Sequence, residues 1–484
     1  MPAMTFGEGQ VGLSWRQNAD SFGVAVVANR LAAHGVAAQS VGTESGTCLA
    51  AGDFILAPGA ATDSAIGTLG LESDCFAATD FANSAAVDLS SPQIAVLAGR
   101  GSAYPYYAYV AHSLSCLGLR YDVLDAATIA AGALGAVDLL MLPGGFSIWG
   151  LDRSEQTAGV DRAVRGFLES GGACIGSCGG AYYLAQGRPG WLGIAPASPR
   201  YTHEYLRGGA GVVSIRLTPG PLTVGCAPAI EMPYYHGPIF DVVREPCVVA
   251  GWFESLSLEA RIPIDNPLDD QRFRDHLNGR PAILQVNGKR GRAVLFSAHP
   301  EMGDIVRKWV AFGSYVEPFL PIRGQAVMEQ TLDFYTPNDS PSLRLIHNAV
   351  QALGCRAAGT RPPHFDASGG AGPGGTRPGD LVDRIVERLS CVPVSGHPAQ
   401  RLIEREIARL RQLADGLGGE SSWRPDPGEQ RIIEDAAAHL SGPGARADGT
   451  VPVAQLMLDL EFPLRFLEAA LRAKAVDRAI GKKS

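Results

Sequence analysis

What this chain lacks narrows its chemistry before any motif is read. Nowhere in its 484 residues is there an apolar run approaching the ~20 residues of a membrane-spanning helix. The opening stretch, MPAMTFGEGQ, has no charged-then-apolar layout of a secretory leader. No basic block is present either. The 41 Lys and Arg against 49 Asp and Glu leave a net charge of −8, so neither nucleic acid nor an anionic membrane is an expected partner. Nine cysteines, an odd number, include no CxxC pair, which argues against a disulfide framework and a zinc knuckle. A reducing cytoplasm is the expected setting. Asp20, Asn29 and His34 occur in the first 91 residues without an HxxE or HxxxH pair, and no metal or cofactor is expected.

What is present describes a globular protein of more than one domain. Hydrophobic residues make up 46% of the chain, enough for an ample core, while 59 Gly and 33 Pro imply many turns and some linker. Residues 1–91 read as a small α/β segment, with a helix over Phe22–Leu31, a stop at His34-Gly35 and a strand over Phe54–Ala57. From Pro92 the alternation becomes regular. Strands are predicted at Ile94–Leu97, Tyr121–Leu124 and Val137–Leu142, and helices at Tyr107–Leu117 and Val160–Glu169. Such alternation predicts a parallel sheet covered by helices on both faces, with ligands at the C-terminal strand ends. Residues 208–253 add short strands at the sheet edge, and helices over Ile305–Phe312, Val327–Asp333 and Leu343–Leu353 complete a domain spanning 92–355. Gly and Pro dominate 356–380, a predicted flexible linker. Helical stripes such as Val382, Ile385, Val386 and Leu389 make 381–484 a helical region, either a small domain or a docking segment for a protein partner.

The candidate chemistry centres on Cys178. Ala173–Gly176 is a short apolar strand and Gly179–Leu184 opens a helix, so Cys178 falls on a sharp strand-to-helix turn among Gly176, Gly179 and Gly180. Such a turn holds a nucleophile in a strained backbone conformation with small neighbours that leave it accessible. The helix that follows points N–H groups at a developing oxyanion. Further on, FSAHPE (Phe296–Glu301) places His299 at a strand end. Alternate side chains of an extended segment share a face, so Glu301 can accept from one ring nitrogen while the other faces Cys178. Met232–Gly237 (MPYYHG) is a polar-aromatic cluster that reads as packing or as a binding wall. Two patterns are set aside. Gly99-Arg100-Gly101 has Tyr104 in place of the third glycine of a dinucleotide fingerprint. The Gly288–Arg292 run GKRGR, lying between two apolar runs, reads as a hairpin turn at Asn287-Gly288.

Pro143-Gly144-Gly145, Ile175–Tyr183 (IGSCGGAYY), Tyr234–Phe240 (YYHGPIF) and Leu295–Met302 (LFSAHPEM), in this order, resemble the class I glutamine amidotransferase-like superfamily. Within it they are similar to the domain at the N-terminus of biotin–protein ligases. The resemblance runs from about Gln93 to Trp309. It implies a flavodoxin-like fold with Cys178 as nucleophile, His299 as base and Glu301 as orienting acid. The N–H groups of Gly145 and Gly179 would form the oxyanion hole. Where glutaminases carry G-x-C-x-G-x-Q, Tyr182 occupies the glutamine position. Gly179 rather than histidine follows the cysteine, unlike PfpI-type peptidases.

The expected function is therefore a Cys–His–Glu amide or acyl hydrolase working through a thioester on a small amide or peptide-like substrate. Tyr182, Tyr235 and His236 are its candidate substrate wall. Two other readings stay open: a non-catalytic binding module that keeps the elbow as scaffold, and a glutaminase component feeding ammonia to a partner.

Overall fold

The structure is a computed structural model. It describes residues 9–42, 49–76, 86–99, 102–145, 159–200, 208–258, 267–289, 291–313, 325–356, 375–418, 423–442 and 452–481. The chain opens with β1 (Gln10–Leu13), α1 (Ser21–Ala33), β2 (Ala38–Val41), β3 (Phe54–Leu56), α2 (Ala60–Leu69), β4 (Asp74–Phe76) and β5 (Ala86–Asp88). These strands form a five-stranded antiparallel sheet in the order β4-β1-β3-β2-β5. The α/β character of the segment agrees with the sequence reading, which located only one of the five strands. The other four are three or four residues long, too short for periodicity to declare them.

The central region runs through β6 (Ile94–Ala98), α3 (Tyr106–Cys116), β7 (Tyr121–Asp125), α4 (Ala126–Ala130), β8 (Leu139–Leu142), α5 (Val160–Glu169), β9 (Ala173–Ser177) and α6 (Gly179–Leu184). Then follow β10 (Ala197–Pro199), β11 (Ala210–Leu217), β12 (Ala229–Tyr235), β13 (Phe240–Val243), β14 (Cys247–Leu258), the one-turn α7 (Asp270–Arg272), β15 (Pro281–Gly288), β16 (Gly291–Phe296) and α8 (Gly303–Ala311). Nine strands make the main sheet, in the order β12-β11-β14-β15-β16-β9-β8-β6-β7. From β16 to β7 every pairing is parallel, and from β12 to β16 every pairing is antiparallel. The expected parallel sheet is thus one half of a mixed sheet. The edge strands expected from residues 208–253 form much of the other half.

Strands of the parallel half are buried on both sides, which explains their unbroken apolar sequences. Ile94, Val96 and Ala98 of β6 face one core, shared with α3, α8 and the N-terminal unit. Ala95 and Leu97 face the other, shared with α5 and α6. The hairpin between β15 and β16 pairs Gly288 with Gly291. Gly288 is therefore the last paired residue, and the turn lies just beyond the Asn287-Gly288 position expected for it.

The chain ends in α9 (Gln325–Asp333), α10 (Leu343–Leu353), α11 (Pro378–Leu389), α12 (Gln400–Gly418), α13 (Pro427–Ser441) and α14 (Val453–Gly481). Leu381, Val382, Ile385 and Leu389 of α11 bury their stripe in the same large core as the central region. Most of the expected linker, 357–374, lies outside the described residues. Its two ends are structured: Arg356 is buried, its guanidinium donating to the Leu134 carbonyl at 3.1 Å, and α11 begins at Pro378. No helix among the described residues is long and apolar enough to cross a membrane.

Candidate active site

Five parallel strands deliver their C-terminal ends to one edge, and the candidate residues gather there. Cys178 follows β9 directly with φ 48° and ψ −104°, a left-handed region that costs a non-glycine residue about 1–3 kcal/mol. The conformation is held from both sides: the Cys178 N–H donates to the Phe296 carbonyl of β16 at 2.9 Å, and its own carbonyl accepts from Tyr182 N–H at 3.0 Å. The glycines around it are a packing requirement. A Cβ on Gly179 would overlap the Gly145 backbone, and one on Gly180 would overlap the Leu142 carbonyl. The elbow can approach β8 only because those side chains are missing.

His299 lies three residues past the end of β16, fixed by its N–H to the Pro233 carbonyl at 2.8 Å. Its Nδ1 lies 2.8 Å from Glu301 Oε1, and both side chains are almost wholly buried. This contact forms where the chain enters a 3₁₀ turn over Pro300–Met302, not along the extended segment expected from sequence. The second Glu301 oxygen accepts from Ser177 Oγ at 3.0 Å. Burial disfavours a charged imidazole. The Glu301 carboxylate and the Cys178 sulfur outweigh it and push the His299 pKa up to about 10. The other ring nitrogen of His299, Nε2, is likewise buried. Gly144 makes room for the ring: a Cβ there would sit 2.7 Å from His299 Cε1 and 3.6 Å from Cys178 Cβ. Gly145 and Gly179, the expected oxyanion donors, lie against each other at this same corner.

The MPYYHG cluster reaches the site from the antiparallel half. Gly237 packs so closely on Ser297 that a Cβ would overlap its carbonyl, which joins this motif to the His299 segment. Tyr235 sets its ring edge-on to His299, with centroids 5.8 Å apart, and its carbonyl oxygen lies 3.1 Å from Cys178 Sγ. His236 has φ 50°, and its Nδ1 accepts from the Gly209 N–H at 3.0 Å. Tyr182 is buried against Trp191, and its hydroxyl donates to the His236 carbonyl at 3.2 Å. Tyr182 and His236 are thus tied to each other and to neighbouring backbone, whereas Tyr235 touches both the sulfur and the imidazole.

Two residues near the site escaped the sequence reading. Ser177 was legible as the neighbour of Cys178, but a serine one residue before a nucleophile carries no signal of its contact with Glu301. Tyr106, more than a third exposed at the start of α3, has its hydroxyl pKa raised by burial and by the nearby Cys178 sulfur. Among the described residues no group of three or more His, Cys, Asp or Glu is placed to hold a metal ion.

The parallel half of the mixed sheet carries an elbow cysteine, with a histidine and an acid at the same edge. Residues 114–197, which include α5, the elbow and α6, match the family model described as a CobB/CobQ-like glutamine amidotransferase domain. A solved glutamine amidotransferase from Thermotoga maritima is similar at 12% identity, covering 54% of this chain and 98% of its own, with a TM-score of 0.34. A solved ThuA-like protein from Bacteroides uniformis is similar at 13% identity, covering 55% of this chain and 92% of its own, with a TM-score of 0.31. No curated protein matches the sequence.

Proposed function

We propose that the central region is a cysteine-dependent amide or acyl hydrolase of the amidotransferase type. The observation that carries the reading is the buried chain Ser177–Glu301–His299 ending beside a strained Cys178. A histidine with its pKa raised to about 10 is protonated at neutral pH and holds a proton to give to a leaving group. In the reaction, the Cys178 sulfur attacks the substrate carbonyl, and the N–H groups of Gly145 and Gly179 receive the oxyanion. His299 gives its proton to the leaving amine as the C–N bond breaks, which leaves a thioester and a neutral imidazole. That imidazole takes a proton from water, the resulting hydroxide attacks the thioester, and the acid product departs with the Cys178–His299 pair restored. The four ordered motifs support a biotin–protein ligase N-terminal type of domain within the superfamily. The reducing cytoplasm suits a free catalytic thiol.

One observation favours a second reading, a binding module that keeps the elbow as scaffold. The Cys178 sulfur sits 3.1 Å from the Tyr235 carbonyl oxygen, a contact suited to a neutral thiol. Iodoacetamide labelling separates the two. The enzyme reading expects Cys178 to react at pH 7 faster than the other cysteines and to lose that advantage in His299→Ala. Slow labelling, equal across the cysteines, favours the module.

A further inference from the structure

Among the described residues, β12 is the end strand of the nine-stranded sheet, bonded to β11 on one side. Backbone groups along such a strand alternate between the paired side and the free edge. His236, just past its end, donates its N–H to the Gly209 carbonyl at 2.8 Å, on the β11 side. The carbonyls of Pro233 and Tyr235 therefore point to the free edge, and that edge lies along the candidate site. Pro233 accepts the His299 N–H at 2.8 Å, and Tyr235 accepts from Cys178 Sγ at 3.1 Å. One acceptor of this edge fixes the histidine segment, and the next reaches the sulfur itself.

The Tyr235 carbonyl is aimed by the residue that follows it. His236 and Cys178 are the two non-glycine residues with positive φ among the described residues, His236 at 50°. That conformation is costly and persists only where the surroundings enforce it. Here three hydrogen bonds do so. The His236 N–H is on Gly209, its buried Nδ1 accepts from the Gly209 N–H at 3.0 Å, and its carbonyl accepts from the Tyr182 hydroxyl at 3.2 Å. The peptide between Tyr235 and His236 is planar, so fixing the His236 N–H also fixes the direction of the Tyr235 carbonyl.

We infer that the Tyr235 main-chain carbonyl accepts the leaving-group N–H of the substrate, and that His236 and Tyr182 are positioning residues that aim it. A carbonyl carbon under attack by Cys178 lies about 3–3.5 Å from the sulfur, which brings the atom bonded to that carbon within reach of the Tyr235 oxygen. An amide nitrogen there donates its N–H in place of the thiol and keeps its lone pair for the His299 proton. An ester oxygen or a tertiary amide has no hydrogen to offer. Once the S–C bond has formed and His299 has protonated the nitrogen, its N–H is a charge-assisted donor, so the bond to Tyr235 tightens where the barrier lies. The C–N bond then breaks and its electron pair leaves with the amine. The substrate class is thus an amide with at least one N–H on its leaving group. The inference rests on the proposed role of Cys178 as nucleophile, and selects among the amide and acyl compounds that role allows.

The test uses the full chain and two chromogenic probes, trifluoroacetyl p-nitroanilide, which carries the N–H, and p-nitrophenyl acetate, which does not. First-turnover release of p-nitroaniline and p-nitrophenol is measured, with Cys178→Ala as the background, and the readout is the ratio of anilide to ester rates. His236→Ala and Tyr182→Phe should each lower that ratio about three- to tenfold, the range of one hydrogen bond, with the ester rate near that of wild type. His236→Asn should keep the wild-type ratio, since asparagine tolerates positive φ and its Oδ1 can take the Gly209 N–H. An unchanged ratio in both His236→Ala and Tyr182→Phe overturns the inference, as does an equal fall in both rates, the mark of a merely structural role. A wild-type protein acylated by the ester and not by the anilide overturns it too. If His236→Ala fails to fold, Tyr182→Phe decides. Release from neither probe above the Cys178→Ala background would instead fell the nucleophile reading, and this inference with it.

Discussion

At the scale of single residues, the proposed chemistry depends on His299 being charged while buried. Alone in this position it would lose its proton, since burial disfavours the imidazolium. Glu301, held by Ser177, and the Cys178 sulfur reverse that. Glu301→Gln should therefore lower the His299 pKa from about 10 and move the alkaline limb of Cys178 alkylation to lower pH, while the acid limb shifts less. The linked stability has a definite sign. A folded-state pKa raised above the ordinary 6.5 contributes stability that is complete below that value and lost as pH rises through about 10. The stability gap between wild type and Glu301→Gln, read by urea unfolding, should thus be larger at pH 6 than at pH 10.5. An equal gap at both would show that Glu301 does not govern this proton. Tyr182 makes a second, independent prediction. Its ring packs on Trp191 and its hydroxyl is taken by the His236 carbonyl, so the position offers a bound amino acid none of the donor and acceptor capacity of a glutamine side chain. Wild-type protein should release little ammonia from free glutamine. Release that is abolished by Cys178→Ala and not improved by Tyr182→Gln would refute this.

At the scale of elements, the site is an agreement among close backbone approaches. Gly144 belongs to the loop after β8, yet its missing side chain matters to a histidine after β16. Its φ lies outside the left-handed region, so alanine is tolerated by the backbone, and only the clash with His299 Cε1 at 2.7 Å opposes it. Gly144→Ala should push the imidazole aside and, on the proposed role of His299, slow Cys178 alkylation about 10- to 100-fold. Circular dichroism should show the fold intact. A wild-type rate would mean the ring has room elsewhere. Much of this was legible beforehand. The α5 helix, the α6 helix and the Cys178 turn all sit where periodicity and glycine punctuation place them, because each is a local consequence of its own sequence. Partnerships across the sheet were not legible. Nothing in the sequence says that Gly237 will lie against Ser297, or that Ser177 will take the free oxygen of Glu301. The antiparallel half was legible only as short strands and a hairpin, without their order or pairing: its strands are interrupted by bulges, with register shifts near Val212 and Ser214, which blur the alternation that would set their extent.

At the scale of the whole molecule, the question is what fastens the C-terminal helices to the central region. Part of the answer is a buried charge cluster. Lys308 of α8 reaches Glu406 of α12 at 2.6 Å and Glu461 of α14 at 3.2 Å. Glu461 is fully buried and also accepts from Trp309 Nε1 at 2.7 Å and Arg465 Nε at 3.2 Å. Burial alone would raise its pKa, but Lys308 and Arg465 hold it below the ordinary 4.5. Its contribution is therefore present above that value and lost as pH falls through the lower folded one. Removing one partner of such a cluster costs more than the pair contributes, because a buried charge is left behind. Glu461→Leu strands the Trp309 N–H and half of the Lys308 charge, and should cost about 3–5 kcal/mol. The loss should appear as a lower urea midpoint and as faster proteolytic release of the C-terminal helices. Glu406 keeps contacts with Arg405 and Arg409 when Lys308 is gone. Lys308→Met combined with Glu461→Leu should therefore recover much of the loss, since the double change removes both charges from the interior. A single Glu461→Leu protein with the wild-type midpoint would show that apolar packing against α3 and α8 carries the attachment without the charges. Recovery in the double variant would instead place the cost in the uncompensated lysine.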